Sequence, residues 1–118
     1  MVKMFKPQFA PLVEAGTKTQ TVRPMPKRFI RAGDPISLRA WVGKPYRSKQ
    51  RVLREAVVTE SRAVLITNVG IIMDGDYLGE EATLKFVKAD GFGSWNEMRD
   101  WFSSTHGLPF PGLLIQWK

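Results

Sequence analysis

Apolar residues in this chain recur at two spacings, and the changes between them mark its elements. Near the amino terminus Phe9, Leu12 and Val13 fall on one stripe of a helix from about Pro7 to Ala15, which Gly16 is placed to end in a left-handed turn. Thr17 to Pro24 is almost bare of apolar side chains. Its Thr and Val content favours a strand, and Pro24 biases Arg23 away from the helical region, so the stretch reads as extended. In such a chain Thr17, Thr19, Thr21 and Arg23 share one face and Lys18, Gln20 and Val22 the other. A twisted edge or a bulge would turn Lys18 and Thr21 towards a common site.

A loop through Pro24–Phe29 and a turn at Ala32-Gly33-Asp34 lead to a strand from about Ile36 to Val42. Ile36, Leu38, Ala40 and Val42 alternate there with Ser37, Arg39 and Trp41, so one face is core and the other carries a cation and an aromatic ring. Gly43 to Arg51 is the most basic loop, and Val52 to Met73 is rich enough in β-formers for two or three strands. Asp74-Gly75-Asp76 reads as a turn, followed by a helix from near Glu80 to Gly91. Ser94 and Glu97 form a capping box ahead of Trp95, Met98, Trp101 and Phe102, whose spacing makes them the core face of a further helix. Ser104–Gly112 breaks that helix, and Leu113 to Lys118 ends the chain as a strand. The order predicts a single α+β domain over residues 1–118, a mixed sheet closing into a small barrel with flanking helices.

Composition narrows the class. With 118 residues, 43% apolar and 25% charged, the chain has the make-up of one globular domain. It has no cysteine, which excludes disulfides, thiol nucleophiles and cysteine-based metal sites and fits a reducing compartment. No apolar run approaches the roughly 20 residues needed to cross a bilayer. The opening MVKMFKPQFAP has two prolines and no continuous apolar segment, unlike a signal peptide, so a cytoplasmic protein without membrane association is expected.

Charge is unevenly placed. Residues 1–54 hold 13 Lys and Arg against 2 acids, whereas residues 55–118 hold 5 against 9. If the fold keeps the halves apart, one face attracts polyanions.

The most unusual segment, GTKTQTVR at Gly16–Arg23, fits the pattern G-x-K-x-x-T-x-R that opens ASCH domains, small relatives of the PUA RNA-binding domain. The remainder resembles the same plan. An apolar helix precedes the motif, AGDPISLR resembles the family's Gly-Asp start of a strand, KADGFGSWNEMRDWF its acidic-Gly-Phe step and helix, and LLIQWK its final strand. Length and middle portion are similar to stand-alone versions from bacteria and their phages. The resemblance implies a PUA-like β-barrel with a positively charged cleft beside the motif, RNA or a nucleotide-like ligand as partner, and no cofactor. Some ASCH proteins resemble hydrolases that deacetylate a modified cytidine (the N4-acetylcytidine amidohydrolases), and others are described as ribonucleases.

Lys18 is the first candidate for chemistry, as a cation for phosphate or carbonyl oxygen or as a base if burial lowers its pKa. Thr21 offers a hydroxyl, as a nucleophile if Lys18 takes its proton, or as a hydrogen-bonding group for a base or a water. Arg23 suits a two-pronged contact with phosphate or carboxylate, or a bracing pair with Asp34 or Asp90. The resemblance aligns Asp90 with the glutamate of the amidohydrolase branch; here the acid is one methylene shorter, and the Gly and Phe follow it more closely. Thr19 and Arg39 join the expected ligand-binding set. Trp41 and Tyr46 offer stacking surfaces, and Lys44 and Arg47, with Lys49 and Arg51, can neutralise phosphates. His106 is the sole histidine, so no zinc site and no other metal centre is expected.

Overall fold

A computed structural model describes residues 1–118. The chain runs β1 (Val2–Met4), α1 (Ala10–Ala15), β2 (Gln20–Pro24), β3 (Pro35–Trp41), β4 (Gln50–Ile66), β5 (Ile71–Met73), β6 (Asp76–Tyr77), α2 (Glu80–Ala89), α3 (Trp95–Thr105) and β7 (Phe110–Trp117). The α+β class is as expected. The seven strands form one mixed sheet, with β1 parallel to β3 and all other pairs antiparallel.

The 17-residue β4 organises the sheet. Its first half pairs with β3, while its second half pairs with β7 on one side and β5 on the other, and β7 in turn carries β2. No strand pairing joins β1 or β6 to β2, so the sheet is not closed into a barrel. The expected two or three strands over Val52–Met73 are therefore one long strand and a short one. Register shifts near Leu53 and Thr59 explain the difference: a bulge inserts an unpaired residue and resets the in-out alternation without reversing the chain. The inward residues accordingly run Leu53, Ala56, Val58, then Val64 and Ile66.

The core gathers the inward residues of the sheet, consecutive buried residues of β2 and β7, and one face of each helix. Met98 and Phe102 of α3 are fully buried, as their spacing predicts; sealing a side chain of that size from water contributes about 1.5–3 kcal/mol. Ser94 caps α3 by accepting from Glu97 N at 3.1 Å, and the Glu97 carboxylate turns back to Gly93 N rather than to Ser94. Val42, assigned by alternation to the core, is exposed because β3 ends at Trp41 and Val42 already belongs to the hairpin loop. No helix is long and apolar enough to cross a membrane.

Candidate functional site

Two local features and one long-range hydrogen bond deliver the motif's lysine into the interior. Gly16 ends α1 with φ +82, and the N–H groups of Thr17 and Lys18 both return to Leu12 O. Thr19 N then donates to Ala89 O at the end of α2. Residues 17–19 are thus pinned between two helix ends, and exposure alternates through Thr17, Lys18, Thr19 and Gln20 until Thr21, buried like Gln20 and Val22, breaks the alternation. Lys18 is 3% exposed and Thr21 5%, whereas Thr17 and Thr19 stay exposed, so the expected shared face of three threonines does not form.

Lys18 Nζ donates to the main-chain carbonyl of Asp90 at 2.5 Å and lies 3.8 Å from its Oδ1. Asp90 follows the last residue of α2, at the negative end of the helix dipole, a suitable place for an ammonium group. Gly91, at φ +95, passes so close to Lys18 that a Cβ there would meet Lys18 Cδ at 3.2 Å. Phe92 then turns inward against Phe9, with ring centroids 5.3 Å apart. In the Asp-Gly-Phe step, the acid thus accepts the ammonium, the glycine permits the close approach, and the phenylalanine forms a wall.

A cavity of about 190 Å³ opens from this pair. Its floor is buried Lys18, Thr21 and Asp90; its aromatic side is Phe5, Phe9, Phe92 and Phe102; and exposed Lys6, Pro24, Thr105 and His106 form the mouth. Arg23 runs along one wall. Its Nε donates to Thr21 Oγ1 at 2.9 Å, its Nη2 to Met4 O at 2.7 Å, and its guanidinium lies 4.8 Å from the Phe5 ring centroid. The pairing of Arg23 with Asp34 does not occur; Asp34 instead accepts from Arg31 N. Asp90 lies beyond ion-pair distance of Arg23, although its charge is felt there. Gln20 completes the network, reaching Asp90 Oδ1 and Phe86 O at 3.4 Å and accepting from Gln116 at 3.4 Å.

Burial drives both members of the buried pair towards neutrality. The Lys18 ammonium is held below its ordinary pKa by desolvation, offset in part by Asp90 and reinforced by Arg23. The Asp90 carboxyl is pushed up by desolvation, against the opposing pull of Lys18, Gln20 and Arg23. Thr21 accepts from Arg23 and leaves its own hydroxyl proton without a protein acceptor.

The remaining expected ligand residues lie elsewhere. Thr19, Arg39, Trp41, Lys44, Tyr46 and Arg47 do not line the cavity. Arg39 spends its donors within the sheet, on Ser37 Oγ and Gln50 Oε1. Trp41 and Tyr46 lean together at 5.1 Å across the β3–β4 hairpin, where Tyr46 is 89% exposed and Lys44, Arg47, Lys49 and Arg51 are also on the surface. No three His, Cys, Asp or Glu side chains gather as they would around a metal ion.

Residues not anticipated for the site are Phe5, Lys6, Phe9, Phe92 and His106, and Trp101, expected only in the core, also faces the cavity. Nothing local marks Lys6 or His106; they meet through the packing of α3 against the segment after β1. Lys18–Asp90 is the only ion pair between residues 1–54 and 55–118. No protein-family model matches the chain, and neither a curated protein nor a solved structure matches it.

Proposed function

We propose that this chain is a PUA-like domain of the ASCH type whose cavity receives one base or modified nucleoside of an RNA. The observation that carries the reading is the buried Lys18 ammonium, set beside Thr21 on the floor of an aromatic-walled cavity. Sites for drug-sized ligands run to about 300–1,000 Å³, so a cavity of this smaller size suits a single ring rather than a dinucleotide. Flat aromatic walls favour a base, and Lys18, Thr21 and Asp90 offer a cation, a hydroxyl and a carboxyl to the polar edge of that ring. Two half-sheets sharing the long β4 support the PUA-like comparison, although the sheet stays open. The exposed hairpin cations and Trp41–Tyr46 pair supply a separate surface for the RNA backbone and a neighbouring base.

Binding is the primary function in this reading. The displacement of Lys18 and Asp90 towards neutrality favours a second, hydrolytic one. Neutral Lys18 would take the proton of Thr21 or of a water as its oxygen attacks an acetyl carbonyl. Arg23 or main-chain N–H groups would hold the oxyanion, and protonated Asp90 would return a proton to the departing amine as the C–N bond breaks; where Thr21 attacks, a water then cleaves the acetyl-Thr21 ester, releasing acetate and returning the hydroxyl its proton.

Equilibrium binding of short RNAs, cytidine and acetylated cytidine, with product analysis for the last, tests both readings. Wild-type protein is expected to bind, and Lys18→Met to lose the nucleoside. Absence of binding to all of these, or affinity indifferent to Lys18→Met, overturns the proposal. Release of acetate that is lost in Asp90→Asn would establish the hydrolytic reading.

A further inference from the structure

The cavity floor has a carboxyl group to balance its lysine, but the mouth does not. Lys6 and His106, from opposite ends of the chain, line the same cavity as Arg23, and the charges of Lys6 and Arg23 are both felt at His106. Lys6 Nζ sits 5.3 Å from the Trp101 ring centroid and pairs with no carboxylate. Arg23 uses Nε and Nη2 internally and leaves Nη1 unpaired. His106 is stacked on Phe110, with centroids 4.4 Å apart and planes 22° apart, and is flanked by Trp101 at 5.8 Å, so its ring is held in place rather than swinging in solvent. At the end of α3, Phe102 O and Ser103 O accept from His106 N and Gly107 N.

We infer that Lys6, His106 and Arg23 form an anion subsite at the mouth, which takes a phosphate attached to the nucleoside whose base occupies the floor. The ligand is therefore a nucleotide, free or at the end of an RNA, rather than a bare nucleoside. This inference rests on the nucleoside reading of the cavity but uses residues that reading does not need. Lysine and arginine supply fixed positive charge, the imidazole supplies a directional donor, and all three are preorganised on aromatic surfaces.

The titration of His106 is consistent with this arrangement. Partial burial, then Lys6, then Arg23 hold its imidazole below the ordinary value, so without an anion it is largely neutral near pH 7. The charged groups that act on it, Lys6 after β1 and Arg23 on β2, are both cations; Lys18 and Asp90 lie deeper on the floor. An arriving phosphate offsets the two cations and draws a proton onto the ring.

The decisive experiment compares each common ribonucleoside with its 5′- and 3′-monophosphates and with inorganic phosphate. Proton NMR of His106, the sole histidine, reports site occupancy without ambiguity of assignment. A charge-assisted hydrogen bond contributes about 1.5–3 kcal/mol, so a monophosphate is expected to bind at least about tenfold more tightly than its nucleoside. That gap should close in Lys6→Met and in His106→Gln, both exposed positions where folding is not at risk. Added phosphate should move the His106 titration midpoint upward in the wild type and less in Lys6→Met. Nucleosides binding as tightly as their monophosphates would overturn the subsite and leave the base reading intact. Inorganic phosphate shifting His106 as effectively as every monophosphate, while no nucleoside binds at all, would support the subsite and remove the base reading. A midpoint indifferent to every phosphate compound would also overturn the subsite.

Discussion

Lys18 Nζ meets the main-chain carbonyl of Asp90 at 2.5 Å, joining residues 72 positions apart at a depth where both side chains are nearly sealed from water. The contact fastens the segment after α1 to the end of α2 and sets the cavity floor. Removing one member leaves the other buried without its partner, which costs more than the pair itself contributes.

Lys18→Met is accordingly expected to lower unfolding stability by about 3 kcal/mol, and Lys18→Met with Asp90→Asn to recover part of that loss, because the double variant buries no charge. Urea unfolding of the three proteins checks this. A single variant as stable as wild type would show that the pair is not formed.

The pH dependence has a definite sign. Asp90 keeps its proton to a higher pH folded than unfolded, so from its ordinary value of 3.8 upward the folded chain binds more protons, and this residue's contribution to stability falls as pH rises through that window. Lys18 is depressed below 10.5, so the unfolded chain binds more protons just under that value, and its contribution rises as pH climbs towards it. The wild-type stability minus that of Asp90→Asn should therefore decline with pH on the acidic side. Unfolding midpoints at a series of pH values measure it.

Gly91→Ala tests the close approach. Its φ of +95 is unfavourable for alanine by about 1–2 kcal/mol, and the new Cβ would also press on Lys18 Cδ and on Leu12 Cδ1 at 3.3 Å. Gly75→Ala bears a similar backbone cost at φ +84 with nothing within 4 Å. Both variants should melt earlier, but only Gly91→Ala should lose ligand affinity in a binding titration.

Thr21→Val keeps the shape of the side chain and removes the acceptor of Arg23 Nε. A net loss of about 1 kcal/mol in stability is expected. If deacetylation occurs, kcat should collapse with KM little changed. If the site only binds, a weakened Kd is the sole functional effect.

Lys44→Ala with Arg47→Ala separates the hairpin from the cavity. Retention on RNA should weaken and its salt dependence should flatten by roughly two phosphate contacts. Mononucleotide affinity should remain as in wild type, because neither residue lines the cavity. Filter binding at several salt concentrations distinguishes the two.

Much of the fold was legible along the chain because its signals are local. Gly16 ends α1, Ser94 caps α3, Met98 and Phe102 face inward, and Asp74-Gly75 makes the expected turn with Asp74 at φ 55. The uncertain places were those where non-local pairing overrides pattern. Two bulges let β4 run 17 residues through a sequence whose alternation breaks, and strand closure depends on which edges meet, which no window of residues encodes.

For the site, the sequence by itself determined the chemical inventory: a lysine, a threonine and an arginine at fixed spacing, an acid before a glycine, no thiol, and a cationic first half. Only the tertiary structure decided which of these face one another. It buried Lys18 against Asp90, turned Thr17 and Thr19 outward, sent Arg39 into the sheet, and brought Lys6 and His106 to the same opening. The reason is physical. Helix caps and turns arise from neighbours along the backbone, whereas burial, proton affinity and the shape of a cavity arise from groups that touch only after the chain has folded.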